Sequence, residues 1–283
     1  MKSWKLAVGA ALAALALASC SSGSDTATVS FELTDAPVGT QDVQSVFVKF
    51  GGLEINESGT AAEGDGSWIE VPIDAEAEYD LLSLTSGVTA LLGEVPLAPA
   101  TQVNQIRFLD PEIAIVETAD PATRIPCVLA SATGLKIVNA FAVPSTGSIT
   151  LTVDFDVRKS LVYTSGEYRM KPALRAVAEG EAGAIAGELA EGYAVYAYKD
   201  GSYDAAAEEA DGDADGILFE NSVTGATPHD VSGVFRYMLA FLEPGTYDLV
   251  VLNLGTAAVD SSTYADIAVE SGATTHQDIA ILP

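Results

Sequence analysis

The chain has 283 residues, 48% of them hydrophobic and 19% charged, with 40 acidic against 13 basic side chains. That composition supports packed cores rather than disorder, and the length leaves room for two domains of ordinary size. The formal net charge of −27 excludes a general nucleic-acid binder, whose phosphate contacts need Lys and Arg. It also argues against docking on anionic lipid through a basic face.

The N-terminus reads as a targeting segment. Lys2 and Lys5 form a short basic region, and residues 6–18 are an apolar Ala/Leu-rich stretch too short to span a bilayer comfortably. Leu17-Ala18-Ser19-Cys20 resembles the bacterial lipobox, whose cysteine is lipidated and becomes the first mature residue. The expectation is a signal peptide at 1–19 and a lipidated tether at 20–26, where Ser21, Ser22, Gly23 and Ser24 are small and flexible. Two or more acyl chains on Cys20 would hold the protein stably at a membrane. Ser21 rather than Asp after the cysteine resembles the outer-membrane sorting pattern, so a lipid-anchored place in the cell envelope is expected.

The remainder reads as all-β. Short runs rich in Val, Ile, Thr, Tyr and Phe are separated by Gly, Pro, Asn and Asp clusters. Strands are expected at 28–33 and 46–50. The clearest is 148–156, where Ile149, Leu151, Val153 and Phe155 point one way and Ser148, Thr150, Thr152, Asp154 and Asp156 the other. That pattern predicts a half-buried strand with both Asp residues on the solvent face. Helical signal is thin: a short turn at 86–92, and a short helix at 204–210 capped by Asp204. A small, acidic, flexible run at 179–183 predicts a boundary between two β-sandwich-type domains, 27–178 and 183–283.

Leu33-Thr34-Asp35-Ala36-Pro37 begins an ordered set of pieces. Val46-Phe47-Val48, Trp68-Ile69-Glu70-Val71, Tyr79-Asp80-Leu81-Leu82-Ser83-Leu84 and Gln105-Ile106-Arg107-Phe108 follow. Asp154-Phe155-Asp156 with Ser160, then Tyr168-Arg169-Met170-Lys171-Pro172, complete it. The set resembles domain-of-unknown-function family 4382. The resemblance implies an all-β, secreted or lipid-anchored domain and carries over no catalytic residue. The second half resembles the carboxypeptidase regulatory-like, transthyretin-like β-sandwich. The carrying residues are Ile185-Ala186-Gly187, Ala194-Val195-Tyr196-Ala197-Tyr198, and 235–251 with a tight Pro244-Gly245 turn between two strands. Runs at 267–272 and 277–282 are expected to form a closing hairpin. Such a domain is usually a non-catalytic spacer or binding module, and fold analogy alone assigns no function.

Several groups invite a chemical reading. Asp211, Asp213 and Asp215 alternate before Gly216 like the first half of a calcium loop, since the hard cation needs converging oxygens. The loop's twelfth position falls on Ser222 rather than Glu, so a solvated acidic loop is the competing reading. Asp154 and Asp156 have the look of a hydrolytic carboxylate pair, although such pairs usually come from different elements. Arg158, Lys159, Arg169, Lys171 and Arg175 crowd eighteen positions. They are expected to pair across strands with Asp154, Asp156 or Glu167, the alternative being an anion site. Trp68, Tyr193, Tyr196, Tyr198 and Tyr203 would make a sugar platform if exposed, or line the sandwich core if not. Cys127 sits in an apolar run as a small hydrophobe, and Pro228-His229-Asp230 looks like a turn. No H-E-x-x-H, G-x-S-x-G, P-loop or dinucleotide fingerprint is present. The sequence therefore points to a non-enzymatic binding, adhesion or scaffolding protein, with a surface protein or glycan as partner. Calcium-assisted carbohydrate binding and an unrecognised envelope hydrolase remain the alternatives.

Overall fold

A computed structural model describes residues 26–35, 42–62, 64–131, 134–209, 217–260 and 264–281. The architecture is all-β, with sandwich-type packing of several small sheets. Strand Ala27–Thr34 lies inside the first sheet. It pairs in parallel with Ser148–Phe155 and antiparallel with Ala90–Leu97, and Leu174–Ala178 closes the far edge. A four-stranded sheet of Leu135–Ala142, Gln102–Leu109, Gly52–Asn56 and Ile69–Val71 and another of Glu78–Asp80, Val43–Lys49, Glu112–Glu117 and Asp120–Pro126 accompany it. The inner strands turn apolar side chains inward, whereas Asp120–Pro126 at a sheet edge is almost wholly exposed. Val29, Phe31 and Leu33 meet Val46, Val48, Leu53, Ile55 and Ile106 in one core, where the Phe50 and Phe108 rings lie 4.5 Å apart.

A second core lies between two further sheets. One is ordered His229–Val231, Val234–Leu242, Gly183–Glu188, Thr274–His276; the other is built on Tyr193–Lys199 and Gly245–Asn253. Ile185, Val195, Ala197, Leu239, Tyr247, Leu249 and Val251 fill the space between. Gly187 permits the close approach of the C-terminal segment, because a Cβ there would sit 1.9 Å from the Gln277 carbonyl oxygen. Among the described residues, no helix is long and apolar enough to cross a membrane.

Several local expectations change. Residues 86–92 hold a turn and the start of strand Ala90–Leu97, while the helical turn falls earlier, at Leu81–Ser83. His229 opens a short strand, and the reversal comes at Ser232-Gly233, both at positive φ. The expected closing hairpin does not form. Tyr264–Val269 joins the sheet of Gly245–Asn253, whereas Thr274–His276 pairs in parallel with Gly183–Glu188. Each segment completes a different layer, so burial in the sandwich outweighs pairing between sequence neighbours. The Asp204 helix is as expected, though short: it spans Ala205–Glu208 and the Asp204 carboxylate accepts from the Ala206 N–H.

Candidate functional site

The buried charges gather where the two cores meet. The polar side of strand Ser148–Phe155 was expected to face solvent, but Thr152, Asp154 and Asp156 are all buried. Residues of the second half cover that face. The alternation itself is intact; what it meets on the polar side is protein rather than water.

Three cationic side chains enter this seam. Arg175 stands opposite Asp154 across antiparallel strands and donates through Nε at 2.8 Å, with Nη2 2.6 Å from the same carboxylate oxygen. Its Nη1 reaches the Phe241 carbonyl at 2.6 Å, in the second half of the chain. Burial pushes the Asp154 carboxyl above its ordinary range, and Arg175 pulls the other way. Asp156 caps the helical turn Val157–Ser160 by accepting from the Lys159 N–H at 3.1 Å. The same turn is held from below, where Asp35 accepts from the Val157 N–H at 3.0 Å. The turn projects Arg158 and Lys159 into the second half. Arg158 donates to the carbonyls of Leu218 at 2.6 Å and Phe219 at 3.1 Å and to Ser222 Oγ at 2.9 Å, and lies over the Tyr196 ring. Lys159 Nζ donates to the Ser222 carbonyl. Burial pulls the Lys159 ammonium below its ordinary range, against the raising influence of Asp156. A polar cavity of about 10 Å³, room for one water, adjoins these groups and is lined by Thr34, Asp35, Asp154, Thr224 and Phe241.

The five clustered cations thus divide. Arg158, Lys159 and Arg175 enter the seam, whereas Arg169 makes an exposed contact with Glu167 at 3.4 Å and Lys171 is exposed. Pairing between facing strands is realised by Arg175 with Asp154; Asp156 is served locally, from its own turn. The sequence gives no sign that Arg158 would reach across to carbonyls sixty residues away.

The tyrosine expectation is corrected. Tyr196 and Tyr198 do share a face, but it is not the sandwich core, which Val195 and Ala197 enter from the opposite side. Both rings are buried in a separate cluster with Phe219, packed against Tyr203 and Leu218. Phe219 stacks on Tyr196 at 4.4 Å, and Tyr203 packs edge-on against Tyr198 at 5.0 Å. Glu208 is 3% exposed and accepts from the Tyr198 hydroxyl at 2.6 Å and the Asn221 N–H at 3.2 Å. Neither ring is therefore open to a sugar. Trp68 is half-buried and lies against Arg107, with its Nε1 donating to the Ala62 carbonyl.

Cys20 and the acidic run Asp211, Asp213 and Asp215 lie outside the described residues. Among the described residues, no three His, Cys, Asp or Glu side chains converge as metal ligands. Cys127 is half-buried, and burial pushes its thiol up to about 11, which disfavours the nucleophilic thiolate.

A search of curated proteins found no match. Among solved structures, the chain aligns with the Bacillus anthracis TIE protein at 10% identity and a TM-score of 0.23, covering 89% of this chain and 34% of that one. The minor pilin GBS52 of Streptococcus agalactiae aligns at 9% identity and a TM-score of 0.20, covering 88% and 94%. A fimbrial protein of Bacteroides ovatus aligns at 7% identity and a TM-score of 0.21, covering 90% and 48%. The chain spans about a third of the TIE protein and about half of the fimbrial protein. A family model matches residues 26–172, just over half of the chain, and takes in Asp35, the 157–160 turn and the strand that carries Asp154; the chain belongs to the family described as Domain of unknown function (DUF4382).

Proposed function

We propose that this is a lipid-anchored cell-envelope protein with a non-enzymatic binding, adhesion or scaffolding role. Cys20 carries the lipid, the outer membrane is its site, and residues 183–283 act as a transthyretin-like spacer or second binding module behind domain 27–178. The observation that supports the reading best is the commitment of the buried charges. Asp154, Asp156, Arg158, Lys159 and Arg175 are the groups from which a catalytic or anion-binding site would be made. Instead, Arg158, Lys159 and Arg175 donate to the second half, while Asp154 and Asp156 pair with them inside the first half. Asp154 is buried with its Oδ2 held by Arg175 at 2.6–2.8 Å, so it presents no exposed carboxylate to a substrate as general acid or base.

The test follows the chain in its own cell. Metabolic labelling with an alkynyl fatty acid, followed by membrane fractionation, is expected to place wild-type protein in labelled outer membrane. Cys20→Ser is expected to lose the label and the membrane location. Recovery of unlabelled wild-type protein in the soluble fraction would sink the anchor. Photo-crosslinking at the cell surface is expected to capture a protein or glycan partner. A turnover found on a hydrolase substrate panel, and lost in Asp154→Asn, would replace binding with catalysis.

A further inference from the structure

The two arginines of the seam select unusual acceptors. Arg158 binds the carbonyl of Phe219, whose φ is 56°, and Arg175 binds the carbonyl of Phe241, whose φ is 55°. Bulky residues rarely enter this left-handed region, because Cβ crowds the backbone. Phe241 sits at an irregularity of its strand: Leu239 and Leu242 oppose Ile185 and Gly183, so the strand carries one extra residue there. Phe219 sits in an irregular segment whose carbonyls at 218, 219 and 222 are turned inward rather than into a ladder. The Phe219 carbonyl also accepts from the Ser222 N–H at 3.2 Å and the Ser222 hydroxyl at 2.8 Å, so Arg158 adds a charged donor to a local turn, whereas Arg175 of the first half is the donor at the Phe241 carbonyl.

We propose that the second β-sandwich is completed by the first, with Arg158 and Arg175 acting as inserted caps that hold Phe219 and Phe241 in their left-handed conformations. The docking surface is the Tyr196–Phe219 stack with its inward carbonyls and the bulge at Phe241. Its occupant is the Val157–Ser160 turn with the adjacent Leu174–Ala178 strand. The guanidinium group suits the task, because one planar fork serves three acceptors with its carbon 5.3 Å from the Tyr196 ring centre, whereas an ammonium is a point donor. The two sandwiches then form one mechanical body rather than beads on a linker. This holds whatever anchors the protein and whatever it binds.

Hydrogen exchange of the full chain, read by mass spectrometry, tests the proposal. Arg158→Ala is expected to speed exchange at residues 217–223 by about tenfold or more, the scale for losing charge-assisted hydrogen bonds in a local opening equilibrium. Strand Ala27–Thr34 should change much less. Arg175→Ala should act in the same way at residues 239–242. Unchanged exchange at 217–223, or an equal rise in every segment, would overturn the proposal. Should Arg158→Ala fail to fold, Arg158→Lys takes its place: faster exchange confined to 217–223 supports the cap, and wild-type protection overturns it. A cycle with Phe241→Gly isolates the strain, since Gly adopts positive φ unaided. Arg175→Ala is expected to cost less protection in that background, and an equal cost in both would refute the capping role.

Discussion

Asp154 and Arg175 occupy directly opposed positions on adjacent strands, and the guanidinium that pairs with the carboxylate also binds the Phe241 carbonyl of the other sandwich. A cross-strand ion pair, ordinarily a minor surface feature, here forms part of a domain seam. Its Asp side chain is 4% exposed and its Arg 27%. Removing one partner strands a buried charge on the other. Arg175→Ala is expected to destabilise the protein by about 3 kcal/mol, and Asp154→Ala by a similar amount. Arg169→Ala, which breaks an exposed contact, is expected to change stability by less than about 0.5 kcal/mol. Urea denaturation midpoints at neutral pH check all three. Equal effects for Arg169 and Arg175 would contradict the assignment.

The tyrosines give a pH dependence with a definite sign. Burial, foremost, raises the Tyr196 hydroxyl to about 12 and the Tyr198 hydroxyl further, the latter also through its hydrogen bond to Glu208. A folded-state value above the ordinary 10.0 means that the native protein keeps protons the unfolded chain has released. The resulting stability is complete below pH 10 and is lost as pH rises through the folded values. Stability should therefore fall steadily above about pH 10, and Tyr196→Phe should flatten that fall while changing little at neutral pH. Absorbance titration of tyrosinate, with and without urea, reads the effect directly. Identical titrations folded and unfolded would refute it.

What was legible in the sequence follows from what periodicity can carry. Period two placed Leu151, Val153 and Phe155 inward correctly, because side-chain alternation is local geometry. It could not say that Asp154 and Asp156 are covered, because a second sandwich docks there. The same rule puts Tyr196 and Tyr198 on one face, yet that face is sealed by Phe219 and Glu208, side chains that no strand periodicity ties to it. The hairpin expected from 267–282 failed for a related reason: neighbouring strands in sequence serve opposite layers of a sandwich. Asp35 stood inside a recognisable run, but its role as the lower clasp of the 157–160 turn depends on a parallel pairing across more than a hundred residues.

Glu208 is a further buried carboxylate with assigned donors. Glu208→Ala leaves the Tyr198 hydroxyl and the Asn221 amide without their acceptor inside the cluster. The expected cost is about 2–3 kcal/mol, the range for unpaired buried polar groups near a charge. Glu208→Gln keeps one acceptor oxygen and should cost roughly half as much. Near-ultraviolet circular dichroism should report loosening of the Tyr196–Phe219 stack in the Ala variant, and an unaltered spectrum with wild-type stability would sink the role.

Two glycines separate steric need from chain flexibility. A Cβ on Gly187 would lie 1.9 Å from the Gln277 carbonyl oxygen and 2.5 Å from its carbon, both rigid backbone atoms. Gly187→Ala must push the C-terminal segment off strand Gly183–Glu188, at a cost of about 3 kcal/mol, the upper range for overpacking. Tyr237 would also lose its hydrogen bond to Gln277, now 2.6 Å long. Gly180 has nothing within 4 Å of such a Cβ and no positive φ, so Gly180→Ala should be neutral or add up to about 1 kcal/mol by restricting the unfolded chain. Thermal unfolding of the two variants side by side decides the matter. A larger loss at 180 than at 187 would mean that the run between the sandwiches, rather than the close approach of the C-terminal segment, sets the stability of the second half.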